Sequence, residues 1–590
     1  MYHKSFISWH GIETQSLFVI FLFLFSFPTI AQTVPVQTLQ DKPNPNIDRF
    51  PQPVPSPTPL LENEAPTILP PQVKPAPEET DTNSSIIVRK IEVTGNTVFN
   101  PYIIESIVNK SENRSVSLKE LRGVADAITK LYLQKGYITS RAVLVDQEIK
   151  DGVVQIRVIE GSLEKIEIEG NRRLNSSYIR ERIQLGTKIP LNQLQIENQL
   201  RLLRVDPMLS NIEATLRPGT NLGESILTVK VEEAPNFNTF FGVDNYSSPS
   251  VGSERFGGGF NYRNVTGIGD QFSASYYRST TGGFNVFDLN YQVPINPKNG
   301  TIRLRYAPSD SKITASEFAD FNITSDSQLY EVSFRQPLTR TPSEEFALSL
   351  AFTLQNGQTF LGGTPTPFGE GPDSQGNSRT RIIKFGQDYI KRDLQGAWAL
   401  QSQFNLGLGI FDATINSGSK PDGRFFSWLG QVQRVQRLSK NNLLIAQAEL
   451  QLTTDSLLSN QQFFLGGGQS LRGYRQNARS GDNGFRVSVE DRITIFDGTD
   501  GTSSLQLAPF IEMGAVWNHP DNPNKLNNQT FLSAAGLGLI LQPTPNTFIR
   551  LDYAVPFIKL DDKGTNAQDE GFFFSVGYNP NVINLPHLLR

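Results

Sequence analysis

From Phe237 to near the C-terminus, apolar and polar positions alternate in stretches of 8–14 residues. Ile302-Arg-Leu-Arg-Tyr306 is one such stretch, and Phe404, Leu406, Leu408 and Ile410 alternate with Asn405, Gly407 and Gly409 in another. Further on, Ile549, Leu551, Tyr553, Val555 and Phe557 alternate with Arg550, Asp552, Ala554 and Pro556. A period of two puts successive side chains on opposite faces of a strand. Sixteen stretches of this kind begin near residues 237, 252, 270, 283, 299, 327, 344, 379, 396, 423, 441, 483, 506, 530, 546 and 571. Large apolar residues on one face and small polar residues or glycine on the other form the lipid-out, lumen-in pattern of a membrane barrel. A soluble sandwich would bury its apolar face in a core and rarely needs so many strands. The pattern predicts a transmembrane β-barrel of sixteen strands over 235–590, whose aqueous channel is too wide for side chains alone to fill.

Upstream the period changes. Lys90-Ile-Glu-Val-Thr-Gly-Asn96 and Lys165-Ile-Glu-Ile-Glu-Gly-Asn171 are near copies set 75 residues apart, so one supersecondary unit is laid down twice. Each copy opens with a short alternating strand closed by a Gly-Asn turn signal. In the first, Ser117-Leu-Lys-Glu120 is a capping box, and Leu121, Val124, Ala125, Ile128, Leu131 and Tyr132 follow at helical spacing until Gly136. Tyr137–Asp146 and Val153–Ile159 then alternate as strands. The second copy runs from Ile166–Ile168 through helices around Tyr178–Ile183 and Leu191–Leu203 to strands near Ile212–Leu216 and Ser225–Val231. Both read as β-α-α-β-β modules, over 84–160 and 161–234, with their apolar faces as core.

The longest apolar run, Leu17–Phe27, is too short to cross a bilayer and is followed by Thr29-Ile30-Ala31, so residues 1–31 read as a secretory signal peptide. Residues 32–80 hold 13 of the 37 prolines. Proline has no backbone donor, which predicts a disordered or polyproline spacer over 32–83 rather than helix or sheet.

Composition narrows the chemistry. A net charge of −4 from 54 basic and 58 acidic residues leaves no footprint for nucleic acid. The chain has no cysteine, so disulfides and thiolate metal sites are excluded. Only 38% of residues are hydrophobic, too few for a bundle of membrane helices, while 39 Phe and 16 Tyr suit strands that meet lipid. Of the four histidines, His3 and His10 fall in the signal region, His519 in a predicted loop and His587 in the tail, which leaves no triad or paired metal ligands. No phosphate-binding Gly-x-x-x-x-Gly-Lys motif offers a nucleotide site, and Gly466-Gly-Gly-Gln-Ser470 is not a nucleophile elbow. No catalytic residue, cofactor or metal is expected.

The informative segment is Phe463-Phe-Leu-Gly-Gly-Gly-Gln-Ser-Leu-Arg-Gly-Tyr474, a loop running to about Asn483 and too long for a hairpin turn. On the strand Phe510-Ile-Glu-Met-Gly-Ala-Val-Trp517, Ile511, Met513, Ala515 and Trp517 form the apolar face, so Glu512 and Gly514 point into the lumen. Arg472 on a folded-in loop can meet Glu512 as a bidentate pair. Alternatively, Arg472 stays outside in water and Glu512 simply lines the pore.

The Leu471-Arg472-Gly473-Tyr474 loop, the Phe510-x-Glu512-x-Gly514 strand and the twin modules resemble the barrel-plus-POTRA transporters of the outer membrane. Two modules with sixteen strands are most similar to the ShlB/FhaC/HecB family of two-partner secretion transporters, over roughly residues 84–580. Asn264-x-x-Gly267-x-Gly269-Asp270 resembles that family's barrel opening. The resemblance implies a loop arginine, Arg472, paired with a wall acid, here Glu512 where aspartate is commoner. It implies an outer-membrane location with two POTRA modules in the periplasm. It also implies a secreted, unfolded protein partner that adds to the POTRA sheet edges and crosses the barrel without nucleotide. Two features depart from the family pattern: residues 32–80 are too proline-rich for the long plug helix some members carry, and Asn579–Arg590 extends beyond a last strand ending at Tyr578. A barrel-assembly factor shares these motifs but has more POTRA modules. An outer-membrane enzyme such as a lipase lacks support from the histidines, and a passive porin does not explain the modules.

Overall fold

The computed structural model describes residues 85–498 and 503–580. The signal and spacer expected at 1–31 and 32–83 lie outside the described residues, as do residues 581–590 of the tail expected at 579–590. Strand alternation decides the architecture: each amphipathic strand must hide one face and wet the other, and closure of the sheet leaves no unpaired edge in lipid. Sixteen antiparallel strands close on themselves. They are β1 (Phe237–Asp244), β2 (Arg255–Arg263), β3 (Gln271–Ser279), β4 (Phe284–Pro294), β5 (Thr301–Lys312), β6 (Ile323–Arg340), β7 (Glu344–Leu361) and β8 (Asn377–Arg392). The circuit continues with β9 (Gly396–Gly407), β10 (Phe425–Arg437), β11 (Asn442–Thr453), β12 (Asn483–Asp497), β13 (Ser504–Trp517), β14 (Phe531–Thr544), β15 (Thr547–Pro556) and β16 (Phe572–Tyr578). A two-residue strand, Thr364–Pro365, adds to the outer end of β7.

Every barrel strand starts within four residues of the position expected from alternation. Along β13, Ile511, Met513 and Trp517 are exposed on the outer wall while Phe510, Glu512, Gly514 and Val516 are buried. The barrel closes through a short seam in which Ser575, Val576, Gly577 and Tyr578 pair with Asp244, Val243, Gly242 and Phe241. Two expectations need correcting. The strand expected to include Leu408 and Ile410 ends at Gly407, because its partner β10 begins opposite, at Phe425. Strands also outrun the expected 14 residues: β6 and β7 reach 18 each.

The two modules share one plan. In module 1, Lys90–Thr94 lies parallel to Val153–Ile159, which pairs antiparallel with Arg141–Leu144. Helices Pro101–Val108 and Leu118–Gln134 cover the sheet, and the capping box at Ser117 and Glu120 is formed. Module 2 repeats this order with Ser162–Glu169, Glu224–Glu233 and Leu209–Pro218 under helices Ser176–Gln184 and Gln193–Arg204. The repeated glycine has one reason in both copies. Gly95 and Gly170 sit at φ +83° and +89°, where a Cβ would drive into the carbonyl oxygens of Val158 and Val231. The strand expected at Tyr137–Asp146 is limited to Arg141–Leu144, since the Tyr137 and Ser140 amides are engaged in the turn that ends the preceding helix. An unexpected two-stranded ribbon, Ser85–Val88 with Arg114–Ser117, completes module 1.

Module 2 is seated on the barrel rim. The Asn175 amide donates to the Gly267 carbonyl at 2.8 Å, and Arg182 Nη2 donates to Asn299 Oδ1 at 2.9 Å. The turn that receives it is braced internally: Gly269 N donates to Asn264 Oδ1 at 3.0 Å and Thr266 N to Asp270 Oδ1 at 2.9 Å. Gly269 lies against the Tyr178 ring so closely that a Cβ would enter it. Arg182 stacks over that ring at 3.4 Å, and Tyr178 donates to Asp206 at 2.9 Å. Burial and the neighbouring Asp206 carboxylate hold the Tyr178 hydroxyl well above its usual pKa, so it stays a donor.

Candidate functional site

The segment after β11 enters the barrel from the rim opposite the modules. Phe463–Leu465 pairs antiparallel with Arg479–Gly481, so the expected structureless loop is a hairpin with a long tip. Its apolar side chains give it a core of its own inside the lumen: Phe463, Leu465, Leu471 and Tyr474 pack with Val516, Leu532 and Ala534 of the wall. Gly514 makes this approach possible, because a Cβ there would stand 2.9 Å from a Leu465 methyl. Tyr474 donates to the Ser533 carbonyl at 2.8 Å, which ties the tip to β14. Gly473 turns the chain at φ +94° between them, with Ala534 too near for a side chain.

The tip charge is buried and shared. Arg472 is 5% exposed and Glu512 3%. Arg472 donates from Nε and Nη2 to Glu512 Oε1 at 3.1 and 2.6 Å, while its main-chain N–H donates to Glu512 Oε2 at 2.7 Å. The guanidinium and carboxylate therefore do not meet fork to fork; one oxygen holds the side chain and the other the backbone. Nη1 reaches Glu490 at 2.9 Å and Asp552 at 3.1 Å. Arg550 bonds the same two acids, each at 2.7 Å, and Arg492 bonds Glu490 at 2.8 Å. Three guanidinium groups thus balance three carboxylates, and Ser488 Oγ donates to Glu512 at 3.0 Å. The Phe510 ring closes the site from below, 3.3 Å from the Arg472 guanidinium carbon.

Of the residues singled out from sequence, Leu471, Arg472, Gly473, Tyr474, Glu512 and Gly514 come together at this tip. Glu490, Arg492, Arg550 and Asp552 were missed as site residues, and Phe510 was quoted only as part of the strand motif. Their parity held a signal: Phe510 is in step with Glu512, and Arg550 and Asp552 are the inward positions of an alternation already recognised. Ser470 is held in the loop, its amide donating to the Gly467 carbonyl at 3.1 Å. His519 lies in the loop after β13 and bonds Asp482 through its main-chain N–H at 2.9 Å, not through the imidazole. Asn264, Gly267, Gly269 and Asp270 belong to the module socket, far along the strands from the tip. The arrangement anchors an ion-paired hairpin across a wide channel.

The family model of haemolysin secretion/activation proteins ShlB/FhaC/HecB matches residues 223–541, and that of the ShlB-type POTRA domain matches residues 86–161. The chain belongs to the ShlB/FhaC/HecB family. Among its relatives, the outer membrane transporter CdiB of Escherichia coli is 25% identical over 488 residues, covering 80% of this chain and 79% of that protein. The solved structure of E. coli CdiB superposes with a TM-score of 0.65 at 21% identity, over 87% of this chain and 94% of that one. BamA from Haemophilus ducreyi lacking POTRA domains 1–3 gives a TM-score of 0.50 at 16% identity over 84% of this chain and all of that one, which shows a shared fold. In this family the barrel lies in the outer membrane and the POTRA domains in the periplasm, so the rim that carries residues 85–233 is the periplasmic one.

Proposed function

We propose that this chain exports an unfolded partner protein from the periplasm to the cell surface by two-partner secretion. The family match across the barrel carries this reading. Residues 1–31 direct the chain out of the cytoplasm, and residues 32–83 space the modules from the processed end. Each module has two outer strands that pair with a strand on one side only, Lys90–Thr94 and Arg141–Leu144 in one and Ser162–Glu169 and Leu209–Pro218 in the other. Side chains cap single amides there, Glu112 at Ile91 and Thr129 at Ala142, and would yield to an added strand. An extended substrate adds there as a further strand, with main-chain hydrogen bonds supplying affinity independent of sequence. The chain then passes the lumenal hairpin and folds outside, and that folding supplies direction without nucleotide or catalysis. Leu471, Arg472, Gly473 and Tyr474 hold the hairpin against Glu512 and Gly514, and so set the width of the path.

Assembly of other barrels is the rival reading, favoured by the shared fold with BamA. Two modules rather than a longer array favour export. The test is to delete this chain from its host and to measure which large secreted proteins are lost from the cell surface. Surface display that depends on this chain supports export. Undiminished display without it, together with loss of other outer-membrane barrels, would assign it to assembly.

A further inference from the structure

The lumenal wall is not uniform around the barrel. On β4 to β8 its charges are matched among themselves. Arg305 bonds Asp288 at 2.6 Å, Glu331 bonds Arg303 at 2.7 Å and Lys384 at 3.0 Å, and Arg335 bonds Glu345 at 2.8 Å and Asp388 at 3.1 Å. The next two strands differ. From Ala397 to Gly407 on β9 and from Phe425 to Val435 on β10, every inward residue is uncharged. Gln401, Gln403, Asn405, Gln431 and Gln433 lie there, and Gln447 extends the group onto β11. Their register makes a patch rather than a scatter: Gln401 is directly opposite Gln431, and Gln433 directly opposite Gln447. Part of the band is already engaged: Gln403 Nε2 donates to Asn405 Oδ1 at 2.7 Å, Asn405 Nδ2 to Ser427 Oγ at 3.2 Å, and Gln431 Nε2 to Glu449 Oε1 at 3.0 Å, Glu449 being held in turn by Arg486. The side-chain oxygens of Gln431 and Gln433 accept no hydrogen bond, and it is this acceptor capacity that the band leaves open.

A side-chain amide offers the same donor and acceptor as a peptide group. Such a wall can bond the main chain of any extended polypeptide without selecting its side chains. Each bond replaces one to water at small net gain, so a chain is guided and not trapped. The flanking ion pairs are already satisfied and have little hold on charged segments in transit. We infer that this amide band on β9, β10 and β11 is the lumenal track for the main chain of an extended polypeptide. The inference rests on the export reading and adds the surface the cargo touches.

The test uses the full chain in a planar bilayer and a synthetic uncharged peptide rich in Gly, Asn and Thr. A peptide of about 30 residues outspans the hydrocarbon layer when extended. The measured quantity is the dwell time of its current blockades. In the Gln401→Leu, Gln431→Leu, Gln447→Leu variant the dwell time should fall about tenfold, a modest change in binding free energy. The matched control Gln271→Leu, Ser273→Leu, Ser275→Leu on β3 should leave it unchanged, and heat-modifiable migration confirms that each barrel has closed. Equal dwell times in the unaltered and glutamine-substituted channels would overturn the inference, as would a peptide that never blocks the unaltered channel. Spontaneous closures lengthened by the glutamine substitutions, with peptide dwell unchanged, would assign the band to a segment of this chain and also overturn it. Partner export by the unaltered chain is scored separately in cells; its absence refutes the export reading, while the dwell-time ratio still decides the band.

Discussion

At the scale of single residues, Arg472 is placed so that its loss and its partner's loss differ. Breaking a buried ion pair by removing one member costs about 3–5 kcal/mol, mostly from the charge left behind, and a hydrated lumen puts this site at the low end. Arg472→Ala leaves three carboxylates facing two guanidinium groups, but the main-chain bond from residue 472 to Glu512 survives. Glu512→Ala removes both holds at once, so it should free the hairpin more completely. Glu512→Gln should fall between the unaltered chain and Arg472→Ala, because Arg472 keeps Glu490 and Asp552. Arg472→Lys should rescue poorly, since lysine has neither the planar fork nor the flat face that rests on Phe510. Protease sensitivity at Gly466–Ala478 in intact cells and the amount of exported partner measure these ranks. A double-mutant cycle of Arg472→Ala with Glu512→Ala should be non-additive by about 1–3 kcal/mol; additive effects would mean the pair is not the anchor. A second residue-scale prediction concerns Glu233, whose carboxylate accepts from the amides of Arg172, Arg173 and Leu174 and from the Arg173 side chain. Burial would raise its pKa, but these donors outweigh it and hold it below 4.5. A depressed folded pKa means its stabilisation is present above pH 4.5 and fades as pH falls from there through the folded value. Protection factors at residues 172–174, taken relative to the intrinsic exchange rate at each pH, should therefore fall below that pH, and Glu233→Gln should lower them already at neutral pH, by about 1–3 kcal/mol of lost protection.

At the scale of elements, the module 2 socket rests on one close approach. A side chain at Gly269 enters the Tyr178 ring, so Gly269→Val must push the helix Ser176–Gln184 off the turn and break the Asn175 and Arg182 bonds. Spin labels on module 2 and on the β4–β5 turn should report a broadened distance distribution in this variant, while the barrel keeps its heat-modifiable migration. An unchanged distribution would mean that other contacts fix the module. The strands themselves were legible because a wall with lipid on one side and water on the other imposes period two directly. Their lengths were less so. β6 and β7 run past the hydrocarbon layer, through Ser325-Asp-Ser-Gln328 and its partners, where nothing compels apolar residues. The lumenal hairpin was hidden for a related reason. Its strands are three residues each and bury Phe463 and Leu465 against a wall, with no lipid face to write an alternation. The Arg472–Glu512 juxtaposition came from parity plus family likeness, and parity alone could not say that Glu490 and Asp552 also converge, since that depends on strand order around the lumen.

At the scale of the whole molecule, barrel and modules are separable in their hydrogen bonding. The sixteen strands pair with one another and, at the outer end of β7, with Thr364–Pro365; they close through β1 and β16, so the barrel needs no edge from the modules. Module 1 has its own buried cluster, including Leu121, Ile128, Tyr132 and Ile156. Deleting residues 84–160 should therefore leave a closed, membrane-inserted barrel with module 2 still seated on Gly267 and Asn299. If the open edges of module 1 receive the cargo, the same deletion should reduce partner export by at least about tenfold, because losing even one modest interface costs that much in occupancy. Barrel amount, heat-modifiable migration and exported partner are read from the same cells. Export at the unaltered level from a correctly inserted deletion would move the receiving role to module 2, whose edges Ser162–Glu169 and Leu209–Pro218 would then be the surface to probe.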